Sequence, residues 1–303
     1  MVTARGEATT DGPTDSTGPA GHHGDGIVAK GHLPNLAFGW YVDEVISVDT
    51  TASSDFADKP GTAVVVGGSG GIGAAIARRL VQGGSHVCVT YRTRAPHELL
   101  DELGDRAEAH PLSLPDAQGA RELFARILEN HRSIHSLVHA AGPHVPMVHL
   151  SRVPPEQFAA QLDEDVNGIY GVIHAALPAL RESRGSITAI TSAATRRYPV
   201  RDGLSAAPKG AVEALMRGLA AEEGRYGIRV NCVGPGMLHD GMSARLQANG
   251  DLDERALAVA MANIPLRRFG SAGDIAETVA FLASDRAAFI TGQKLDVDGG
   301  YGV

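Results

Sequence analysis

The stretch VVVGGSGGIG at residues 64–73 decides the fold of this 303-residue chain. Its three valines predict a buried strand over residues 64–67, and the apolar spacing that follows predicts a helix over residues 72–82. Glycines between the two allow a sharp turn and let a phosphate group approach the start of the helix, where free N–H groups favour anions. A strand, a glycine-rich turn and a helix in this order predict a dinucleotide-binding site. A glycine-rich turn without a ligand is the alternative.

The rest of the chain alternates short apolar runs with amphipathic helical patterns, which indicates βαβ units and a parallel sheet. Further strands are predicted at residues 86–91, 107–112, 136–140, 185–191, 229–233 and 293–297. Long helices are predicted at residues 155–180, 205–225 and 275–283. We therefore expect an α/β fold with a doubly wound parallel sheet, formed by a single domain over residues 59–303 that carries an N-terminal extension.

Composition excludes several classes of function. The net charge of −8 and the lack of a basic run argue against a nucleic-acid partner. No apolar stretch approaches the roughly 20 residues that a membrane-spanning helix needs, and the N-terminus lacks the apolar core of a signal peptide. The two cysteines, Cys88 and Cys232, lie in apolar runs and suit a reducing compartment, so a cytoplasmic protein without a membrane partner is predicted.

The N-terminal part of the chain divides in two. Residues 1–26 have almost no large apolar side chain and are predicted to be a disordered tail. His22 and His23 in this tail could bind a metal ion, but a solvated tail is the simpler explanation, and no metal site is predicted. Residues 27–58 hold an apolar run that includes Trp40, the single tryptophan, and we expect this extension to pack on the domain or on a neighbouring subunit.

Nearly all of residues 60–303 resembles the short-chain dehydrogenase/reductase family. The glycine loop and five further motifs carry the resemblance: DVNG at 165–168, RVNCVGPG at 229–236, FLASD at 281–285, ITGQ at 290–293 and VDGG at 297–300. The resemblance implies a Rossmann fold with a small-molecule substrate above the carboxyl ends of the strands. It also implies a lid at about 237–265 and a homotetramer or homodimer.

The family binds a nicotinamide cofactor, and the second strand indicates which one. It ends in Thr90-Tyr91-Arg92-Thr93-Arg94, without the carboxylate that would bind the ribose diol of NAD(H). Because a guanidinium can bind a 2′-phosphate, Arg92 favours NADP(H). NAD(H) stays possible, since relatives that prefer NADP(H) often carry a basic residue where Gly70 stands. The resemblance implies cofactor contacts from Gly67, Ser69, Gly71, Ile72, Gly73, Arg92, Ala141, Gly142, Lys209, Pro235 and Gly236.

The catalytic residues of the family are matched with one exception. A serine, a tyrosine thirteen positions later and a lysine four further on carry the chemistry, and these positions here are Ser192, Ser205 and Lys209. The resemblance implies that Ser192 polarises the substrate oxygen, that Lys209 binds the nicotinamide ribose, and that Asn167 holds a water in a proton relay. An aliphatic hydroxyl is shorter and far less acidic than a phenol, so Ser205 cannot serve as the usual proton donor. Losing a positioned acid forfeits about 10²–10⁴ in rate.

Three interpretations of Ser205 remain open. In the first, the protein reduces a conjugated alkene, as do the 2,4-dienoyl-CoA reductases, which the chain resembles in Ser205 four residues before Lys209 and in Ala-Ala-Gly at 140–142. The tyrosine that donates the proton in that branch corresponds to Ala194, so Tyr198 is the candidate donor here. A loop or interface role for Tyr198 is the alternative.

The second interpretation is non-redox chemistry such as isomerisation, dehydration or cyclisation, with no cofactor in a repurposed pocket. Val66, Ser113, His139 and Asp240 stand at positions where the family usually has other cofactor-contacting residues, and His139, His144 or Asp240 could then act as acid or base. The third is a catalytically silent partner subunit. We expect an NADP(H)-dependent reductase of a conjugated alkene or an activated carbonyl.

Overall fold

The computed structural model describes residues 54–142, 145–240 and 254–303, with the side chains of residues 254–256 excepted. Its strands are β1 Thr62–Val66, β2 His86–Tyr91, β3 Ala107–Pro111, β4 Ile134–His139, β5 Ser186–Ile190, β6 Arg229–Pro235 and β7 Lys294–Val297. They form one parallel sheet in the order β3-β2-β1-β4-β5-β6-β7, so β3 and β7 are the outer strands. The predicted α/β fold is confirmed.

Helices cover both faces of the sheet. Their bounds are α1 Gly71–Gln82, α2 His97–Leu103, α3 Ala117–His131, α4 Pro155–Leu162, α5 Gly168–Ser183, α6 Gly203–Glu223, α7 Glu254–Ala262 and α8 Ala272–Ala283. The core on one face joins β-strand side chains to α1 and α8, and the core on the other joins them to α3, α5 and α6. Since successive side chains of a strand point to opposite faces, Val64 and Val66 belong to the second core and Val65 to the first.

The strand order places a crevice at one edge of the sheet. Successive connections from β1 run outward through β2 to β3, and the chain then returns to add β4 on the other side of β1. The carboxyl ends of β1 and β4 therefore lie side by side, with helices leading away on opposite faces. Such a reversal point leaves a crevice in which open α/β sheets bind their ligands.

The single long helix predicted at residues 155–180 is wrong in one respect. A π-helical turn at Asp163–Asn167 separates α4 from α5, so the chain carries more residues through this turn than an α-helix would. Asp163 and Asp165 take opposite positions in the turn, the first exposed and the second buried. The turn changes which side chains face α6.

Two predicted segments lie partly outside the described residues. Of the extension at 27–58, only residues from Ser54 onward are described, and Phe56 among them is fully buried and stacks on His135 with ring centroids 5.7 Å apart. The domain core thus includes a residue upstream of the predicted boundary at 59. Residues 241–253 of the predicted lid and His144 also fall outside the described part. Within the described part, no helix is both long and apolar enough to cross a membrane.

Candidate active site

The glycine turn between β1 and α1 is built so tightly that only glycine fits at two of its positions. Gly67 has φ +79°, and a Cβ atom there would lie 2.6 Å from the backbone of Ala141, which follows β4. A Cβ atom on Gly73 would collide with the carbonyl oxygen of Gly67. The N–H of Gly67 donates to Thr90 Oγ1 at the end of β2, 3.1 Å away. The turn is therefore fixed to both neighbouring strands.

The start of α1 offers free N–H groups to an anion. Gly70 precedes the helix and no side chain caps it, while the first turn carries no acidic residue. The N–H groups of the first helical residues, Gly71, Ile72 and Gly73, have no intrahelical acceptor. Ser69 is exposed beside them. A turn that excludes side chains, next to an uncapped helix start, fits the pyrophosphate of a dinucleotide.

Arg92 lies just beyond the end of β2, at the same edge of the sheet. Its side chain is 68% exposed, and its Nη1 is 3.8 Å from Glu164 Oε2 in the π-helical turn. Sequence reasoning did not place this carboxylate near Arg92, because the two residues are 72 positions apart. An exposed pair of this kind contributes little to stability, so the guanidinium can reorient toward a phosphate at low cost.

Lys209 forms a nearly buried ion pair that the sequence analysis did not predict. Its Nζ lies 3.0 Å from Asp165 Oδ1, with the two side chains 14% and 3% exposed. The amide of Gln161 donates to the other oxygen of Asp165 at 2.6 Å. A Cβ atom added to Gly142, in the loop after β4, would lie 3.4 Å from the same Nζ. The ammonium of Lys209 is thus held beside the predicted cofactor loop.

Asn167, predicted to act in the proton relay, does not contact Lys209. It is exposed, and its side-chain amide donates to Asp163 Oδ1 at 2.8 Å on the outer side of the π-helical turn. Asp165, two residues earlier, occupies the inner side and contacts Lys209 instead. The proton relay through Asn167 stays a prediction, and Asp165 rather than Asn167 contacts Lys209 because the π-helical turn directs the two side chains to opposite sides.

His139 ends β4 directly under this site. It is fully buried, and its Nε2 has no hydrogen-bond partner among the described residues. Burial, together with the positive charge of Lys209, lowers the pKa of His139 to about 3. The imidazole is therefore neutral near pH 7. A buried nitrogen without a partner is costly, and such atoms are commonly completed by a ligand or by water.

Ser192 and Ser205 lie at the carboxyl edge of the sheet, on either side of a short loop. Ser192 follows β5, and its Oγ accepts a hydrogen bond of 3.1 Å from the N–H of Ala194, which leaves its O–H proton to donate. Ser205 is half-buried in the first turn of α6. Because Lys209 is four residues further along, the two side chains share one face of α6. Tyr198 is 51% exposed and hydrogen-bonds to none of these three within the described part of the chain.

Asp202 is a candidate functional residue that the sequence analysis missed. It immediately precedes α6, and its carbonyl accepts the N–H of Ser205 at 3.1 Å. Burial raises the pKa of its carboxyl to about 6. Its position three residues before Ser205 was the available sequence signal, but the burial that makes it notable could not be inferred from the sequence.

The end of β6 completes the edge of the crevice. The N–H of Gly236 donates to Val297 O at 3.0 Å, and a Cβ atom at Gly236 would lie 2.6 Å from Asp298, so this backbone also packs closely after Pro235.

Asp240, a candidate acid or base in the second interpretation, makes a structural hydrogen bond in this structure. Its Oδ2 accepts the N–H of Ala272 at 2.9 Å and so caps the start of α8.

A parallel sheet with an uncapped glycine turn at its reversal point, and a lysine beside it, is typical of nicotinamide-dependent α/β oxidoreductases. Residues 66–302 match the family model described as enoyl-(acyl carrier protein) reductase. This match and the similarity to curated relatives show that the chain belongs to the short-chain dehydrogenase/reductase family.

Relatives with named activities cover most of the chain. L-fucose dehydrogenase of Mus musculus is 32% identical over 237 residues, which span 78% of this chain and 86% of the relative. The 3-oxoacyl-(acyl-carrier-protein) reductase FabG of Staphylococcus aureus strain Mu50 is 33% identical over 245 residues, or 79% and 97% of the two chains.

Solved structures of nucleotide complexes are similar in fold. The 3-ketoacyl-(acyl-carrier-protein) reductase of Brucella melitensis complexed with NADH has a TM-score of 0.73 at 26% identity, covering 80% of this chain and 98% of that chain. A variant of ElxO with NADPH bound also has a TM-score of 0.73, at 25% identity and with the same coverage. The similarity supports binding of a nicotinamide cofactor.

Proposed function

We propose that this protein is an NADP(H)-dependent reductase with an altered proton donor, and that its substrate is a conjugated alkene or an activated carbonyl compound. The observation that carries the proposal is the position of Lys209. Its ammonium is held by Asp165 beside Gly142, at the same edge as the glycine turn, while a serine occupies the usual tyrosine position one turn earlier on α6. These contacts support a cofactor site beside Lys209, with a serine at the position of the usual proton donor.

The proposal assigns a separate task to each residue. A bound nicotinamide cofactor would supply the hydride. The free N–H groups of Gly71, Ile72 and Gly73 would bind its pyrophosphate, and Lys209 would donate to the ribose of the nicotinamide. Ser192 would donate its O–H to the substrate oxygen on which negative charge develops. Asp165 would act as a positioning residue, because it fixes Nζ of Lys209.

The serine at position 205 favours a substrate that does not need an immediate proton on oxygen. When hydride adds to a conjugated alkene, the charge spreads to a carbonyl oxygen, and hydrogen bonds from Ser192 can stabilise that charge until carbon is protonated. Reduction of a simple ketone produces an alkoxide, which needs an acid at once. The name of the matching family model supports alkene reduction, whereas the names of the two relatives support carbonyl chemistry, so both substrate classes belong in the test.

Titration of the purified protein with NADPH and NADH tests the cofactor proposal. We expect tighter binding of NADPH, because Arg92 is exposed at the end of β2 and no carboxylate follows it until Glu98. Arg92→Ala should weaken binding of NADPH by roughly 10-fold while leaving NADH unchanged, since one charge-assisted hydrogen bond contributes about 1.5 kcal/mol. Arg106→Ala, which removes an exposed arginine that contacts Gly84, is the matched control.

Three outcomes would contradict these expectations. Equal affinity of the unaltered protein for both nucleotides would refute the preference for NADP(H). A loss of NADH affinity in Arg92→Ala would refute the assignment of Arg92 to the 2′-phosphate. Failure to bind either nucleotide would refute the reductase proposal as a whole. If NADPH binds, enones and dienoyl thioesters are tested alongside activated ketones by the loss of NADPH absorbance.

The pH dependence of turnover distinguishes two candidate proton donors, Asp202 and Tyr198. The pKa of Asp202 is raised to about 6 by burial, so its carboxyl holds a proton below pH 6 and loses it above. If Asp202 donates, kcat should be level below pH 6 and fall up to tenfold per pH unit above it, and Asp202→Asn should remove this decline together with most of the activity. If Tyr198 donates the proton instead, Tyr198→Phe, not Asp202→Asn, should lower kcat.

A further inference from the structure

A second cluster of reactive side chains lies on the outer strand β3 and on its neighbour β2. Cys88 is paired with Glu108 in the register of the two strands, so both side chains leave the sheet on the same face. His110 follows Glu108 by two residues and points to that face as well. His131, the last residue of α3, completes the cluster from above the sheet. None of these residues takes part in the function proposed above.

The cluster converges on one oxygen atom. Glu108 Oε1 lies 3.0 Å from Cys88 Sγ, 3.0 Å from His110 Nε2 and 3.0 Å from His131 Nε2. The ligand-type atoms of Cys88, Glu108 and His131 all lie within 4.8 Å of one another. A tetrahedral zinc ion with bonds of about 2.0–2.3 Å separates its ligand atoms by roughly 3.3–3.8 Å. Small rotations of these side chains would therefore reach metal-binding distances.

The chemistry of the donors matches a borderline-soft metal ion. Zinc binds thiolate, imidazole and carboxylate, and the cluster offers one thiol, one carboxylate and two imidazoles. A metal ion could reach the cluster from solvent. Cys88 is fully buried, but the side chain of Glu108 is 33% exposed and opens the cluster to water. Cys88, His110 and His131 all lie at hydrogen-bond distance from Glu108 Oε1, so the donors are already grouped around one carboxylate oxygen.

We propose that Cys88, Glu108 and His131 bind a zinc ion, and that His110, which contacts Glu108 Oε1 but is not among the atoms that lie within 4.8 Å of one another, turns toward the ion as the fourth ligand. Binding forms a Zn–S bond at Cys88 and releases its thiol proton to solvent, so that thiolate and carboxylate together balance the two positive charges. The metal would join the outer strand β3 and the end of α3 to β2. Its role would be structural, because all four coordination positions are filled by protein.

The test uses the full chain, freed of metal and titrated with Co²⁺ and then with Zn²⁺. Co²⁺ should produce the near-ultraviolet charge-transfer absorption of a cobalt–thiolate bond, and Zn²⁺ should displace it. Cys88→Ser should abolish this absorption, whereas Cys232→Ser, which alters the other buried cysteine, should retain it. Zinc affinity should fall at least about 10-fold in Glu108→Gln and in His131→Asn, because even loss of a residue that only supports a ligand has that effect.

Controls separate this site from other causes of binding. His174→Asn changes an exposed histidine on α5 and should leave zinc affinity unaltered. Binding of Co²⁺ without a thiolate band and with full affinity in Cys88→Ser would assign the metal to other residues, such as His22 and His23, and would overturn the proposal. If Cys88→Ser fails to fold, Glu108→Gln decides, because its side chain is partly exposed and keeps its size: unaltered zinc affinity in that variant would also overturn the proposal. Either result is independent of nucleotide binding.

Discussion

Replacing Asp165 with asparagine is expected to lower the free energy of unfolding by about 3 kcal/mol, the typical cost of removing one partner from a buried ion pair. Asp165 is 3% exposed and Lys209 is 14% exposed, so the ammonium left behind would have little access to water. The substitution keeps the size of the side chain, and the loss therefore reports charge rather than packing. Urea denaturation at pH 7 measures it.

The π-helical turn supplies the matched control for this prediction. Asp163→Asn changes an exposed carboxylate two residues away and should cost less than about 0.5 kcal/mol. Combining Asp165→Asn with Lys209→Met should recover most of the lost stability, since no unpaired charge then remains. Turnover should be absent in the double variant, because the ammonium proposed to bind the nicotinamide ribose is gone. A loss below about 1 kcal/mol in Asp165→Asn would mean that Lys209 reaches solvent or another partner.

Replacing Ser205 with tyrosine is expected to raise the rate of reduction of an activated ketone by about 10²-fold, the lower end of the range for a positioned general acid. Lys209 lies one turn further along α6, and a neighbouring ammonium lowers the pKa of a phenol. The carboxylate of Asp165 offsets part of that charge, which is why we expect the lower end of the range. Loss of NADPH absorbance at saturating nucleotide measures the rate.

Ser205→Phe separates the hydroxyl from the ring. It adds nearly the same volume but no acid, so ketone reduction should not increase. An equal gain in both variants would assign the effect to the shape of the pocket. No gain in Ser205→Tyr, with NADPH still bound, would mean that the missing phenol is not what limits ketone reduction, and that the proton comes from another residue such as Asp202 or Tyr198.

Much of the fold could be predicted from the sequence because it depends on local patterns. The apolar run before the glycines and the alternation of strands and helices determine the sheet, and β2 was predicted at its observed bounds, His86–Tyr91. The helices α2 and α3 were missed, since their patterns are short or strongly charged. The π-helical turn at Asp163–Asn167 was also missed, because it depends on how α4 and α5 pack against α6 rather than on periodicity.

The contacts of the candidate site were less predictable from the sequence than the fold. Spacing along α6 relates Ser205 to Lys209 correctly, because four residues make one helical turn. Spacing could not show whether Asp165 or Asn167 contacts Lys209, since the π-helical turn changes which of the two faces α6. Nor could it indicate that Asp202 is partly buried, because its environment comes from distant parts of the chain. The Cys88 cluster likewise depends on the pairing of β2 with β3, which brings residues 20 positions apart into register.

The two outer strands of the sheet have a consequence for aggregation. β3 ends at Pro111, which has no backbone N–H to offer, and β7 has only four residues, two of which are Lys294 and Asp296. Lys294 is held 2.9 Å from Asp296 and 3.3 Å from Glu213. A foreign strand would find an incomplete hydrogen-bond ladder at one side and charged groups to desolvate at the other. Growth of fibrils by addition of strands to this sheet is thereby disfavoured at both ends.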